Sequence, residues 1–311
     1  MLRKIKNFFH EMIFSPSGTA FLVLLVMLLI AIFNFVNVAL LYSNNFWMIP
    51  MLAISFLLPF FIFRATRGGK KYIPTLNLSL PKKVHVRTII YSALFLMLGS
   101  TLLKLAFVSG KYMEFPLYNA FFAHRNGSFW NDIYLVFAFC IVPPIFEGLI
   151  FRGSILKEHE KRGRMTATVV SSLFFALLDF SFELLLPRFF VGILLCIILY
   201  ATDSIATTVA IHIAYNFFAV FVEPTFISVK NVSSNVELFT FIVAIFTLLF
   251  AIFLFSHLSR LYRKYSHDKF GENFIRSTPR ERTFWHLVEL FLSIPAIACY
   301  VLFVVVSLIL M

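Results

Sequence analysis

Residues 131–151 read NDIYLVFAFCIVPPIFEGLIF. Beyond Asp132 at its start, the run is apolar along almost its whole length and carries one further carboxylate, Glu147, close to its end. At 1.5 Å per residue such a run crosses the roughly 30 Å hydrocarbon core of a bilayer as a helix. Working outward in both directions, comparable runs follow one another with short polar breaks. Their approximate limits are 19–42, 46–63, 88–108, 131–151, 166–182, 186–202, 204–222, 238–256 and 287–310. The expected fold is therefore all-α, a polytopic transmembrane bundle of about nine spans. Composition agrees, with 60% hydrophobic residues, 14% charged residues and a mean hydropathy of +0.89. Soluble domains carry roughly 25% charged residues, so a soluble reading is excluded.

A net charge of +12 would suit nucleic acid, but the 27 Lys and Arg fall in the breaks between apolar runs. Membrane orientation accounts for them, and no nucleic-acid partner is expected. With the N-terminus inside, 22 lie on the inner side and 4 on the outer, namely Lys111, Arg125, Arg188 and Lys230; Lys104 falls within a span. A cytoplasmic N-terminus follows from the positive-inside rule. The basic loop at 64–87 would also meet anionic lipid headgroups, the bilayer being one expected partner. The opening MLRKIKNFFHEMIFSPSG has the basic flank of a signal peptide, but the run behind it is too long and lacks a small-x-small cleavage site, so it reads as a retained span. Apolar residues from Leu2 to Ile13 could also line an interfacial helix before it. Cys140, Cys196 and Cys299 lie inside apolar runs and read as small buried hydrophobes, with no disulfide or zinc spacing. Trp47, Trp130 and Trp285 stand near span ends, where aromatic belts form, and Asn126 and Asn231 begin N-x-S triplets in outer loops.

Ionisable residues at membrane depth cost about 2.5–3.5 kcal/mol each on insertion scales, so each needs a partner or a purpose. The candidates are Glu147 and Arg152 in PPIFEGLIFRGSIL, Asp179 and Glu183 in SSLFFALLDFSFELLL, and His212 with Asn216 in TTVAIHIAYNFF, while Lys104 stands apart. On an α-helix His212 and Asn216 share a face, as do Phe175 and Asp179. Glu147 and Arg152, five apart, would diverge by about 140°, which sends Arg152 toward the cytoplasmic interface. Three helices could thus surround one pocket holding Glu147, Asp179, His212 and Asn216. A carboxylate there can take a proton from water, and His and Asn donors can stabilise the oxyanion formed on a peptide carbonyl.

These residues resemble the motifs of the CAAX prenyl protease and bacteriocin-processing (CPBP, or Abi) family of intramembrane proteases. Glu147, Arg152 and Gly153 look like its E-E-x-x-x-R-G motif. Phe175-x-x-x-Asp179 stands where the family has F-x-x-x-H, and His212-x-x-x-Asn216 matches its third motif. Gly192 resembles the glycine of the segment between the second and third motifs. The resemblance spans about residues 131–221, which divides the chain into N-terminal spans at 1–130, this core, and C-terminal spans at 222–311. It implies a water-activating role for Glu147, an oxyanion role for His212 and Asn216, supporting roles for Arg152 and Phe175, and no cofactor. It also implies a membrane-associated peptide or protein substrate and residence in a bacterial plasma membrane.

The sequence departs from the family at Gly148, where the second glutamate belongs, and at Asp179, where the histidine belongs. A Glu/Asp pair sharing a proton could still activate water, as in aspartic proteases. The alternative is a catalytically silent member that binds and stabilises a partner membrane protein. Two further chemistries compete. Glu, Asp and His could ligate Zn²⁺, but H-E-x-x-H is absent, His159-Glu160 being followed by Lys161-Arg162-Gly163. Transport would also use buried charge and broken helices, but no paired halves are visible.

Overall fold

The computed structural model describes residues 18–40, 45–66, 81, 85–107, 116–160, 162–226, 236–270 and 287–310. The N-terminal segment, most of the basic loops at 64–87 and 257–286, Lys111, Lys230, the Asn231 triplet and Trp285 lie outside these residues. Every regular element among the described residues is helical. That is the expected response of an apolar chain, because helices satisfy their own backbone groups where water is absent.

In order, the helices are α1 (Gly18–Leu40), α2 (Met48–Thr66), α3 (His85–Phe107), α4 (Pro116–Ala123) and α5 (Phe129–Glu160). They continue as α6 (Arg164–Ala176), α7 (Phe182–Thr202), α8 (Ile205–Phe221), α9 (Val236–Phe270) and α10 (Ile294–Leu310). Among the described residues five segments are long and apolar enough to cross a membrane: Asn45–Ala65, His85–Ala106, Phe129–Glu160, Phe182–Thr202 and Glu237–Leu261. Gly18–Phe33, Ile205–Phe221 and Ile294–Ile309 are shorter apolar helices. Together these cover eight of the nine predicted runs. The ninth, at 166–182, is not one helix. Its α-helical part, α6, has 13 residues and tightens into a 3-10 turn at Leu177–Asp179, and Phe180, in the left-handed region at φ 49°, ends it.

The chain forms two compact units. The first takes residues up to Leu76, Leu149–Phe182 and Ser277 onward. There α1 packs against α2 and α10, and polar contacts tie α1 and α6 to the C-terminal part of α5. Thr19 Oγ1 and His159 Nε2 lie 2.9 Å apart, and the Ser171 hydroxyl donates to the Phe151 carbonyl at 2.8 Å. The second takes Asn77–Gly148 and Glu183–Arg276. In it α3 packs along both α9 and α8. Three polar contacts follow the α3/α8 seam: His85 Nδ1 with Thr207 Oγ1 at 3.1 Å, Ser100 Oγ with Tyr215 OH at 2.8 Å, and Lys104 Nζ with Glu223 Oε2 at 2.7 Å. In a medium that gives helices no hydrophobic reason to associate, such contacts and close packing hold the seam.

Candidate functional site

Glu147 is positioned by a helix that is twice rewound. Pro143 and Pro144 supply no N–H, so the ladder behind them cannot run in the ordinary register. The winding widens to π over Phe137–Ile141, and the Val142 N–H bonds to the Phe137 carbonyl, five residues back. An α-helical turn follows at Val142–Glu147, and π winding returns at Gly148–Ile155. Glu147 thus ends the one regular turn between two π stretches, a kind of bulge that gathers at functional sites. Because π winding follows Glu147, the 140° divergence expected from it to Arg152 on α-helical geometry does not apply.

Helix α8 is preceded by Ser204, whose Oγ accepts the Thr207 N–H at 3.2 Å, a cap for one of the helix's open donors. Eight residues on, His212 is buried, and its Nε2 lies 3.7 Å from Glu147 Oε2. That separation is longer than a hydrogen bond. The Glu147 side chain is 14% exposed and that of His212 2%, and the two facing atoms, Oε2 and Nε2, are both buried. Tyr215 packs beside His212, its ring centroid 6.4 Å away, with its hydroxyl held by Ser100. Asn216, one turn beyond His212, donates from Nδ2 to the Phe139 carbonyl at 3.2 Å.

The missing second glutamate has a packing reason. A Cβ on Gly148 would come 2.8 Å from Val209 Cγ2 of α8, closer than real Cβ contacts. The bare backbone at 148 lets α8 approach α5, and that approach brings His212 to Glu147.

Asp179, Phe175 and Arg152 belong to the first unit. Arg152 is enclosed by protein. It is 1% exposed, with its guanidinium 4.4 Å from the centroid of the buried Phe175 ring, a cation–π contact inside the protein. Asp179 is half-buried at the end of the 3-10 turn. Because α6 stops at Ala176, the α-helical face expected for Phe175 and Asp179 is lost. Arg188, counted on the outer side, lies inside α7, buried, its guanidinium 6.0 Å from the Tyr215 centroid. Glu223 escaped the sequence reading because it sits just past an apolar run. It is buried, receives Lys104 at 2.7 Å, and faces the Thr101 hydroxyl at 3.5 Å, so Lys104 has a partner. Among the described residues no three His, Cys, Asp or Glu side chains gather as a metal cage.

Residues 128–218 match the family model described as Rce1-like, type II CAAX prenyl endopeptidase. The chain contains an Rce1-like domain. This is consistent with the CPBP family that the three motifs resemble, and its limits nearly coincide with the core expected at 131–221. Neither a curated protein nor a solved structure matches the chain. The match covers Glu147, Arg152, Phe175, Asp179, His212 and Asn216, and less than a third of the sequence. With the apolar helices it makes the chain an integral membrane protein whose Rce1-like part has a CAAX-type intramembrane protease fold.

Proposed function

We propose that the chain is an intramembrane endopeptidase of the CAAX protease/Abi type, cleaving a membrane-associated peptide or protein. The observation that carries this is the 3.7 Å approach of His212 Nε2 to Glu147 Oε2 inside the Rce1-like segment. Glu147 takes a proton from water as the oxygen attacks the scissile carbonyl. The resulting oxyanion accepts hydrogen bonds from the Nε2-protonated tautomer of His212 and from the second N–H of the Asn216 amide. Glu147 then returns the proton to the leaving amine as the carbon–nitrogen bond breaks. Asp179 stands, by motif position, where the family has its histidine. Arg152 and Phe175 act as a buried cation–π support. The N-terminus faces the cytoplasm of a bacterial cell, and residues 131–221 are the catalytic core.

A second reading, a silent protein that binds a partner membrane protein, draws on Gly148, whose packing against Val209 excludes the family's second glutamate. Hydrolysis in ¹⁸O-water of a membrane-anchored peptide, prenylated on cysteine in the first trial, separates the two. The enzyme reading predicts one heavy oxygen in the new C-terminal carboxylate. Stable co-purification of one membrane protein with no turnover of any anchored peptide would favour the second reading.

A further inference from the structure

The sequence Pro143-Pro144 has an effect that reaches α8. The Phe139 carbonyl lies four residues before Pro143 and five before Pro144. An α register would give it the N–H of 143 and a π register that of 144, and proline has neither. A carbonyl in hydrocarbon without a donor is costly, so one must come from elsewhere. It comes from Asn216 Nδ2, 3.2 Å away and 77 residues on in the chain. Asn216 is 2% exposed, and its Oδ1 is buried with no hydrogen-bond donor among the described residues.

We propose that Pro143 and Pro144 are positioning residues that aim the Asn216 amide by freeing the Phe139 carbonyl to hold it. With one N–H fixed on the backbone, the amide keeps a second N–H and its Oδ1 for a substrate, a set that suits a peptide group, which offers one acceptor and one donor. A freely rotating amide would have to be ordered in each turnover, whereas an anchored one is set before the substrate arrives. The clamp itself needs no enzymatic activity, while its catalytic consequence rests on the endopeptidase reading above.

The test is a thermal-unfolding cycle on the full chain in detergent: wild type, P143A, N216A and the double variant. In the wild type, N216A strands the carbonyl and should lower the midpoint by roughly 2–8 °C. In P143A the backbone N–H gained at position 143 reaches the Phe139 carbonyl, so adding N216A should cost less than about half as much. Equal shifts in the two backgrounds would overturn the clamp. If N216A alone does not fold, N216D, whose carboxylate cannot donate, replaces it in the same comparison. On a cleavable peptide, P143A should lower kcat about tenfold with KM unchanged and the midpoint unchanged or raised, a split that a merely structural proline would not give. Full turnover by P143A would overturn the positioning role. Absence of cleavage by the wild type would sink the endopeptidase reading and leave the unfolding cycle intact as a test of the clamp.

Discussion

At the scale of the residue, His212 and Glu223 teach different lessons. The pairing of His212 with Asn216 was legible because four-residue spacing on a helix is a strong geometric statement. Glu223 was not legible, since a carboxylate just beyond an apolar run reads as ordinary loop polarity until its partner is seen. Its ion pair with Lys104, both side chains at or below 5% exposure, makes a sharp prediction. Removing one partner, as in Glu223→Ala, strands a buried ammonium and should cost about 3–5 kcal/mol, read as a lower unfolding midpoint in detergent. The paired replacement Lys104→Met with Glu223→Leu should recover most of that loss, because it removes both charges. His212 makes the catalytic counterpart. His212→Ala should slow peptide cleavage on the order of 10²-fold if it holds the oxyanion, with the unfolding midpoint changed far less than turnover.

At the scale of the element, α5 shows how much a sequence pattern conveys and where it stops. Its length and apolar character announced a span, and Pro143-Pro144 announced an irregularity. The pattern could not say that the irregularity would be two π stretches around Glu147, because hydrophobic periodicity assumes one winding. The same assumption gave Phe175 and Asp179 a common α-helical face. Asp179 remains the family position whose substitution is most informative. If catalysis was lost by that replacement, Asp179→His should raise or create cleavage; if Asp179 is one of two carboxyls sharing a proton, cleavage should fall, and the wild type should work best in acid. Cleavage by wild type, Asp179→His and Asp179→Asn measured across pH distinguishes the two. Gly148 makes the packing prediction for α5 and α8. Gly148→Ala should cost about 1–3 kcal/mol through its contact with Val209, and Val209→Ala should relieve it, measured by unfolding of the single and double variants.

At the scale of the whole molecule, composition alone indicated a helical membrane protein, and the five long apolar helices with three shorter ones agree with it. The break after Ala176 was hidden because an apolar sequence remains apolar whether its backbone continues or turns at Phe180. Among the described residues of the positive-inside count, Arg152 and Arg188 are buried in helices; removing each from its side leaves the asymmetry intact. Single cysteines placed in 64–87 and 257–286 should therefore resist an impermeant thiol reagent on intact cells and react after lysis. Rapid labelling of both loops on intact cells would reverse the proposed orientation. Whether Glu147 activates water against a peptide bond is decided by Glu147→Gln in the purified, bilayer-reconstituted protein. The amide keeps the size of the side chain and cannot accept the proton. The wild type should cleave a membrane-anchored peptide, and cleavage by Glu147→Gln, inserted and folded as before, should fall by at least about 10³-fold. Cleavage by Glu147→Gln at the wild-type rate would contradict that role.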